Sequence, residues 1–212
     1  MKFKDRVDAG KQLARLLLAY KHNPNVLIVG LVRGGVPVAA EIARELMASL
    51  DIVVVRKIGV PGMPELAVGA LTQTGQSILN HHMMHTMGIT EQQVAPIICQ
   101  ERKELARRLS VYREDKKLLN YAGKTVILVD DGIATGATMQ AAIASVKELG
   151  AKRFILAVPV CPPEIARDLQ GLVDEFICLE QPEYFPAVGY FYQHFEQVED
   201  ETVRKLLSQK LF

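Results

Sequence analysis

The residues best suited to chemistry lie at the end of the apolar run Val126–Val129, where two carboxylates stand side by side. Asp130 and Asp131 follow that run directly, and a loop of small residues comes next. Adjacent carboxylates repel each other and lose hydration when an apolar strand draws them toward a core. A carboxylate pair in this position is suited to binding a vicinal diol, either directly or through Mg²⁺.

The loop after the carboxylates has the composition of an anion-binding site. Glycines at two of its positions permit turns that a Cβ would hinder, and its alanines keep the walls low. Backbone N–H groups in front of the helix that follows would point at a bound anion, as they do at other helix N-termini. The predicted phosphate-binding residues are Ala134, Thr135, Gly136, Ala137 and Thr138. A sugar phosphate held there would have its hydroxyls near the carboxylate pair.

A second anion site is predicted at Arg33, Gly34 and Gly35, which follow the first apolar run of the chain. They combine a guanidinium with unhindered backbone amides, and Lys57, after the predicted strand Ile52–Val55, adds another positive charge. Taken alone, the arginine could cap a neighbouring element and the lysine could be a solvated strand end. A phosphate site, a diol site and a second polyanion site together match 5-phosphoribosyl-1-diphosphate.

The elements that must position these loops alternate between strands and helices. Apolar runs predict strands at Val26–Gly30, Ile52–Val55, Ala67–Leu71, Gln76–Leu79, Thr125–Val129, Arg153–Pro159 and Glu175–Cys178. Helical spacing predicts helices at Asp5–Tyr20, Pro37–Met47, Thr90–Glu114, Thr138–Leu149 and Glu199–Gln209, with a short one after Pro162. This order predicts an α/β fold with a parallel sheet and helices on both faces. In such a sheet ligands bind beyond the carboxyl ends of the strands, where the three loops fall.

Composition favours a single domain over residues 1–212 and argues against nucleic acid as a partner. The chain is 49% apolar, and its 25 Lys and Arg residues against 24 Asp and Glu residues leave a net charge of +1. Nucleic-acid binders usually carry a basic excess or stripe. The three cysteines have no ligand-like spacing, and no apolar run approaches the roughly 20 residues that cross a bilayer. We therefore expect a cytoplasmic protein without membrane contact.

The stretch VILVDDGIATGAT resembles the phosphoribosyl-diphosphate signature of type I phosphoribosyltransferases, which joins an apolar strand, two acids and a G-x-x-T-G-x-T loop. Together with LVRGGVPVAAEIA and VVVRKIGVPGMPELAVGAL, it is similar to a subgroup of predicted phosphoribosyltransferases whose base is often unassigned. The resemblance extends from Asp5 to Tyr192. It implies a parallel-sheet core with a small hood or lid, and Mg²⁺-dependent transfer of a phosphoribosyl group to a nitrogenous base.

The resemblance also implies roles for individual residues. Asp130 and Asp131 would bind the ribose hydroxyls and contact a metal only indirectly or through the substrate, while Ala134–Thr138 would hold the 5-phosphate. Arg33 and Gly34 would form the diphosphate loop, in which many family members have a cis peptide bond. Catalysis would fall to the two acids, Arg33 and Lys57. Cations and Mg²⁺ stabilise the departing diphosphate, and the acids face the positive charge that develops on the sugar.

Two segments are candidates for covering the site. The lid segment, residues 80–119, is predicted to be long and helical where many family members have a short hairpin, and its charge suits closure on a polyanion. A fixed pair of helices is the alternative. The tail segment, residues 180–212, is rich in aromatic rings that suit either a satellite core or a hood wall on which a base stacks. These rings are Tyr184, Phe185, Tyr190, Phe191, Tyr192 and Phe195.

Other interpretations of the same motifs remain open. Phosphorelay receivers also place an acidic pair after a strand, but it is their first strand, and they lack the Gly-Thr-Gly loop. His81, His82 and His85 fit a polar surface helix better than a zinc site, because no acidic residue lies between them. A non-catalytic sensor of phosphoribosyl diphosphate is the main alternative. A kinase that makes this compound would need an ATP site, which the sequence does not show. Small-molecule substrates are the expected partners, and a homodimer is compatible with this.

Overall fold

The computed structural model describes residues 2–113 and 119–209. The elements in chain order are α1 (Arg6–Leu16), β1 (Val26–Leu31), α2 (Gly35–Leu46), β2 (Ser49–Val53), β3 (Arg56–Val60), β4 (Met63–Leu71), β5 (Ser77–Leu79), α3 (His81–Thr86), α4 (Glu91–Arg113), β6 (Thr125–Val129), α5 (Ala137–Glu148), β7 (Arg153–Val160), α6 (Pro163–Gln170), β8 (Glu175–Glu180) and α7 (Asp200–Ser208). Short 3₁₀ turns lie at Leu18–Tyr20 and Val188–Phe191.

The main sheet has five parallel strands in the order β2-β1-β6-β7-β8. From β1 the chain continues to β2 on one side, whereas from β6 it continues to β7 on the other. The strand order therefore reverses between β1 and β6, which is where open α/β sheets form a ligand crevice. Gly30 of β1 pairs with Val129 of β6, so the loops that follow these strands begin side by side.

Both faces of this sheet are covered by helices, as predicted. Helices α1 and α2 bury Leu13 and Ile42 against Ile28 on one face. Helices α5 and α6 bury Met139 and Leu169 on the other face. All six residues of β1 are buried, which explains why its sequence is a continuous apolar run with no polar alternation. The α/β prediction is confirmed.

A second, antiparallel sheet corrects the prediction around the second strand. Strand β2 ends at Val53, and Arg56 begins β3, which pairs with β4, so Lys57 does not follow a parallel strand as predicted. Ile58 and Val60 alternate with less buried neighbours and face the core. The sequence pattern predicts no strand between Val55 and Ala67, because glycines and prolines interrupt this stretch. The predicted pairing of β4 with β5 across a turn is confirmed.

The lid segment is helical, as predicted, in the part that the structure describes. Helices α3 and α4 bury Met84, Val94, Leu105 and Tyr112 against the antiparallel sheet. The predicted end of the long helix at Glu114 lies outside the described residues. The three histidines of α3 are exposed, and no cluster of His, Cys, Asp and Glu suited to a metal ion occurs in residues 2–113 and 119–209.

The aromatic tail divides into buried and exposed rings. Phe191 and Tyr192 are buried and pack against Phe3, which forms a small core beside the main sheet. Tyr184 and Tyr190 remain exposed, with their ring centroids 6.1 Å apart in an edge-to-face arrangement. Over the described ranges, no helix is long and apolar enough to span a membrane.

Candidate active site

The two loops that follow β1 and β6 pack directly against each other. A Cβ on Gly34 would overlap the carboxylate of Asp131, and a Cβ on Gly35 would lie 2.5 Å from the backbone oxygen of Val129. Only glycine fits at these positions, which is the close approach that the sequence Arg-Gly-Gly allows. The Val32–Arg33 peptide bond is cis, in agreement with the resemblance. The structure therefore brings the predicted diphosphate loop and the acidic pair together.

The predicted phosphate loop is open to solvent. Ala134, Thr135 and Ala137 are exposed, and Gly136 caps α5 with a φ of +76° and no side-chain hydrogen bond to the helix. A positive φ favours glycine at this position. The first backbone N–H groups of a helix have no partner within the helix, so those of α5 are available to an anion.

The acidic pair is less accessible than this loop, because Asp131 forms an ion pair with Arg6. Arg6 Nε donates to Asp131 Oδ2 over 2.7 Å, and each of the two side chains is 12% exposed. The same guanidinium donates to the backbone oxygen of Glu196 and stacks 3.9 Å from the ring centroid of Phe195. Sequence reasoning missed Arg6, which lies 125 residues from its partner.

Burial raises the pKa of both acids. It raises the pKa of Asp130 well above the usual range, and the charge of Asp131 adds to the increase. Burial also raises the pKa of Asp131, against the opposing charge of Arg6. Asp130 Oδ1 accepts a hydrogen bond from the backbone N–H of Asp131, and the hydroxyl of Tyr192 donates to the backbone oxygen of Asp131 over 2.6 Å. Tyr192 was predicted only as a hood or core ring.

Arg33 also has protein partners that the sequence did not reveal. Its Nη1 lies 3.4 Å from Asp200 Oδ1 and 4.0 Å from Glu199 Oε2, at the start of α7. The hydroxyl of Tyr112 donates to the same oxygen of Asp200 over 2.6 Å and holds the pKa of that carboxyl below its usual value. Burial raises the pKa of Tyr112 to about 12. Asp200 therefore links the diphosphate loop to both α7 and α4.

Lys57 stands apart from this cluster. It lies on β3 opposite Ala70, and its side chain is exposed. Within the described ranges that side chain makes no hydrogen bond or ion pair. Its predicted part in binding diphosphate stays a prediction.

The donor chemistry at the acidic pair fits Mg²⁺, although the residues alone would not form a complete cage. Mg²⁺ is usually held by one or two carboxylates together with water and substrate oxygens. Asp130 is partly exposed and has no ion pair among the described residues, so it has a carboxylate oxygen to offer. Direct contact or contact through substrate hydroxyls would both suit this donor.

Comparisons with known proteins agree with one another. The family model of the phosphoribosyl transferase domain matches residues 4–188. Rv0571c and its counterpart MT0597, from two strains of Mycobacterium tuberculosis and provisionally named phosphoribosyl transferases, are each 43% identical over 209 residues, which is 97% of this chain and 46% of each relative. The chain thus spans about half the length of the curated relatives it matches.

Solved structures show the same fold. TT1426 from Thermus thermophilus is 39% identical, covers 98% of both chains and superposes with a TM-score of 0.83. The AQ2163 protein from Aquifex aeolicus is only 10% identical, with a TM-score of 0.50 over 82% of this chain and 73% of that one, and is similar in fold alone.

Proposed function

This chain belongs to the phosphoribosyltransferase family, and we propose that it transfers the phosphoribosyl group of 5-phosphoribosyl-1-diphosphate to a nitrogenous base and releases diphosphate. The observation that carries the proposal is the meeting of three groups at the reversal of strand order. They are the open phosphate loop before α5, the acidic pair after β6 and the glycine loop after β1.

The substrate would lie across these groups from one end to the other. The 5-phosphate would accept hydrogen bonds from the backbone at Ala134–Thr138, and the ribose hydroxyls would face the acidic pair. Diphosphate would meet Arg33, the amides of the glycine loop and, from β3, Lys57. This order follows the sites available in the fold, because the acids lie between the two anion loops in the crevice.

The charged groups of the site would stabilise the charges that develop during transfer. The bond from the anomeric carbon to diphosphate breaks as a bond from the acceptor nitrogen forms, so positive charge develops on the sugar and negative charge on the leaving group. Ionised carboxylate at Asp130 or Asp131 stabilises the former, and the Arg33 guanidinium stabilises the latter. Mg²⁺, held by Asp130 and substrate oxygens, would supply Lewis-acid stabilisation of the leaving diphosphate.

The tail segment offers a surface for the acceptor base, and the lid segment is the candidate for the element that closes the site. The exposed rings of Tyr184 and Tyr190 offer a surface on which a flat base can stack. The lid segment lies against the antiparallel sheet and reaches Asp200 through Tyr112, so its position is linked to the diphosphate loop. A cytoplasmic location and a homodimer stay predictions.

One observation favours the alternative, a sensor that binds without turnover. Both Arg33 and Asp131 already have protein counter-charges, so ligand binding must rearrange them and thereby signal occupancy. A panel of purine and pyrimidine bases, with phosphoribosyl diphosphate and Mg²⁺ and a readout of diphosphate release, separates the two functions. Release with at least one base supports the transferase. Tight binding without release across the panel supports the sensor, and no binding contradicts both.

A further inference from the structure

The two acids of the pair differ in how they are held. Asp131 Oδ2 accepts from Arg6 Nε over 2.7 Å, and its side chain is only 12% exposed. Asp130 has no ion pair within residues 2–113 and 119–209. Its side chain accepts the local hydrogen bond from the backbone N–H of Asp131. The two aspartates therefore differ in their bonding partners, although they are identical in sequence.

Asp131 also has contacts with the diphosphate loop and with the tail segment. Its carboxylate lies against Gly34, where no Cβ has room, so it forms the back wall of the diphosphate loop. Its backbone oxygen accepts the hydroxyl of Tyr192 from the tail segment. Together with the ion pair to Arg6, these contacts fix Asp131 beside the diphosphate loop.

Arg6 is itself fixed and is not a mobile surface cation. It is the first residue of α1, whose start is capped by the side chain of Asp5. Its Nη1 donates to the backbone oxygen of Glu196, and Phe195 stacks on its guanidinium. An arginine held by three contacts keeps its carboxylate partner in one position, and losing that partner would leave a largely buried charge unpaired.

We propose that Arg6 is a positioning residue that holds the Asp131 carboxylate against the diphosphate loop. Asp130 alone then accepts hydrogen bonds from the ribose hydroxyls. This inference rests on the proposed function and refines it, because sequence and resemblance give both acids the same role. Asp130 then decides whether the site distinguishes ribose from deoxyribose, and Arg6 acts on the sugar only through Asp131.

The test compares ribose 5-phosphate with 2-deoxyribose 5-phosphate by titration calorimetry. A hydrogen bond from the ribose 2-hydroxyl to the Asp130 carboxyl predicts that the natural protein prefers ribose by up to about tenfold. Asp130→Asn should reduce that preference to nearly none. Asp131→Asn and Arg6→Gln should weaken phosphoribosyl diphosphate and keep the preference for ribose over deoxyribose, and Arg6→Lys should recover part of the affinity for phosphoribosyl diphosphate that Arg6→Gln loses. Loss of the preference in Asp131→Asn equal to that in Asp130→Asn overturns the proposal.

A matched control separates positioning from general damage. Arg56 donates from Nε to Glu101 over 2.6 Å, and their side chains are 25% and 18% exposed, so Arg56→Gln removes a similar ion pair far along the chain. This variant should leave both the affinities and the preference unchanged. A drop in affinity for phosphoribosyl diphosphate in Arg56→Gln as large as that in Arg6→Gln would overturn the special role of Arg6.

A measurement without ligand distinguishes failure of this inference from failure of the proposed function. Asp131→Asn should lower the melting temperature by about 4 °C, because it leaves Arg6 without its charge partner, whereas Asp130→Asn should raise it. If the two variants shift the melting temperature in opposite directions, only the Asp131 carboxylate stabilises the folded protein. Shifts of the same sign overturn the inference. If the natural protein binds neither sugar phosphate, the proposed function fails. The melting temperatures still show which of the two carboxylates stabilises the folded protein.

Discussion

The predicted phosphate loop and the acidic end of the candidate site, where diphosphate is proposed to bind, are held in opposite ways. The loop before α5 presents backbone amides to solvent with no side-chain cap, while Asp131 and Arg33 each have a counter-charge from the protein. Backbone dipoles can remain open to water, but charged side chains beside a core are stabilised by partners. One end of the candidate site is therefore open in the free protein, and the proposed function requires the other end to exchange partners when a polyanion binds.

Blocking the open end should have the largest effect. Gly136→Val forces a β-branched residue to a φ of +76° and moves the amides of the loop, so affinity for ribose 5-phosphate and for phosphoribosyl diphosphate should both fall by about 100-fold or more. Calorimetric titration measures both. Gly75→Val is the matched control, since Gly75 has a φ of +87° in a distant turn with open space around it. If Gly75→Val loses as much affinity for the two ligands as Gly136→Val, the loop before α5 is not the phosphate site.

Removing the cation at the other end should affect only one of the two ligands. Arg33→Ala should weaken phosphoribosyl diphosphate by about 10- to 100-fold through the loss of charge-assisted hydrogen bonds, and leave ribose 5-phosphate unchanged. The same calorimetric titrations report both affinities. If the variant weakens the two ligands equally, the loops do not divide the substrate between them.

Releasing Arg33 from its protein partner should strengthen binding by a smaller factor. Asp200→Asn keeps an acceptor for Tyr112 but removes the charge that faces the guanidinium, so inorganic diphosphate should bind about three- to fivefold more tightly. Glu201→Gln, one residue further along α7, is the control and should change nothing. Weaker binding in Asp200→Asn would show that this carboxylate orients Arg33 for the ligand.

The smallest effect concerns stability and pH. Burial and the neighbouring charge raise the pKa of Asp130 in the folded protein, so the folded state retains a proton that the unfolded chain releases. Stability is then lost as pH rises from about 4, the ordinary carboxyl value, through the raised pKa. Asp130→Asn should melt a few degrees higher at pH 8, by roughly 2–4 °C, and match the natural protein at pH 4. If the difference in melting temperature between Asp130→Asn and the natural protein grows toward pH 4, the pKa of Asp130 is not raised.

The same comparison explains what the sequence could predict. The phosphate loop and the acids are local patterns after an apolar strand, and the structure places them as expected. The counter-charges were missed because Arg6 and Asp200 lie 125 and 167 residues from their partners, and nothing nearby marks either as part of a site. Strand β3 was missed for a different reason, since Gly59 and the following Pro61 and Gly62 resemble a turn when the partner strand is not known.

Amide hydrogen exchange with two ligands tests the difference between the two ends most directly. Ribose 5-phosphate should protect Ala134–Thr138 and leave α7 unchanged. Phosphoribosyl diphosphate with Mg²⁺ should protect the same loop and also alter exchange at the start of α7 and within α4, because Arg33 must leave Asp200 to meet the diphosphate. Identical patterns with the two ligands would contradict a site with one open end and one that exchanges partners.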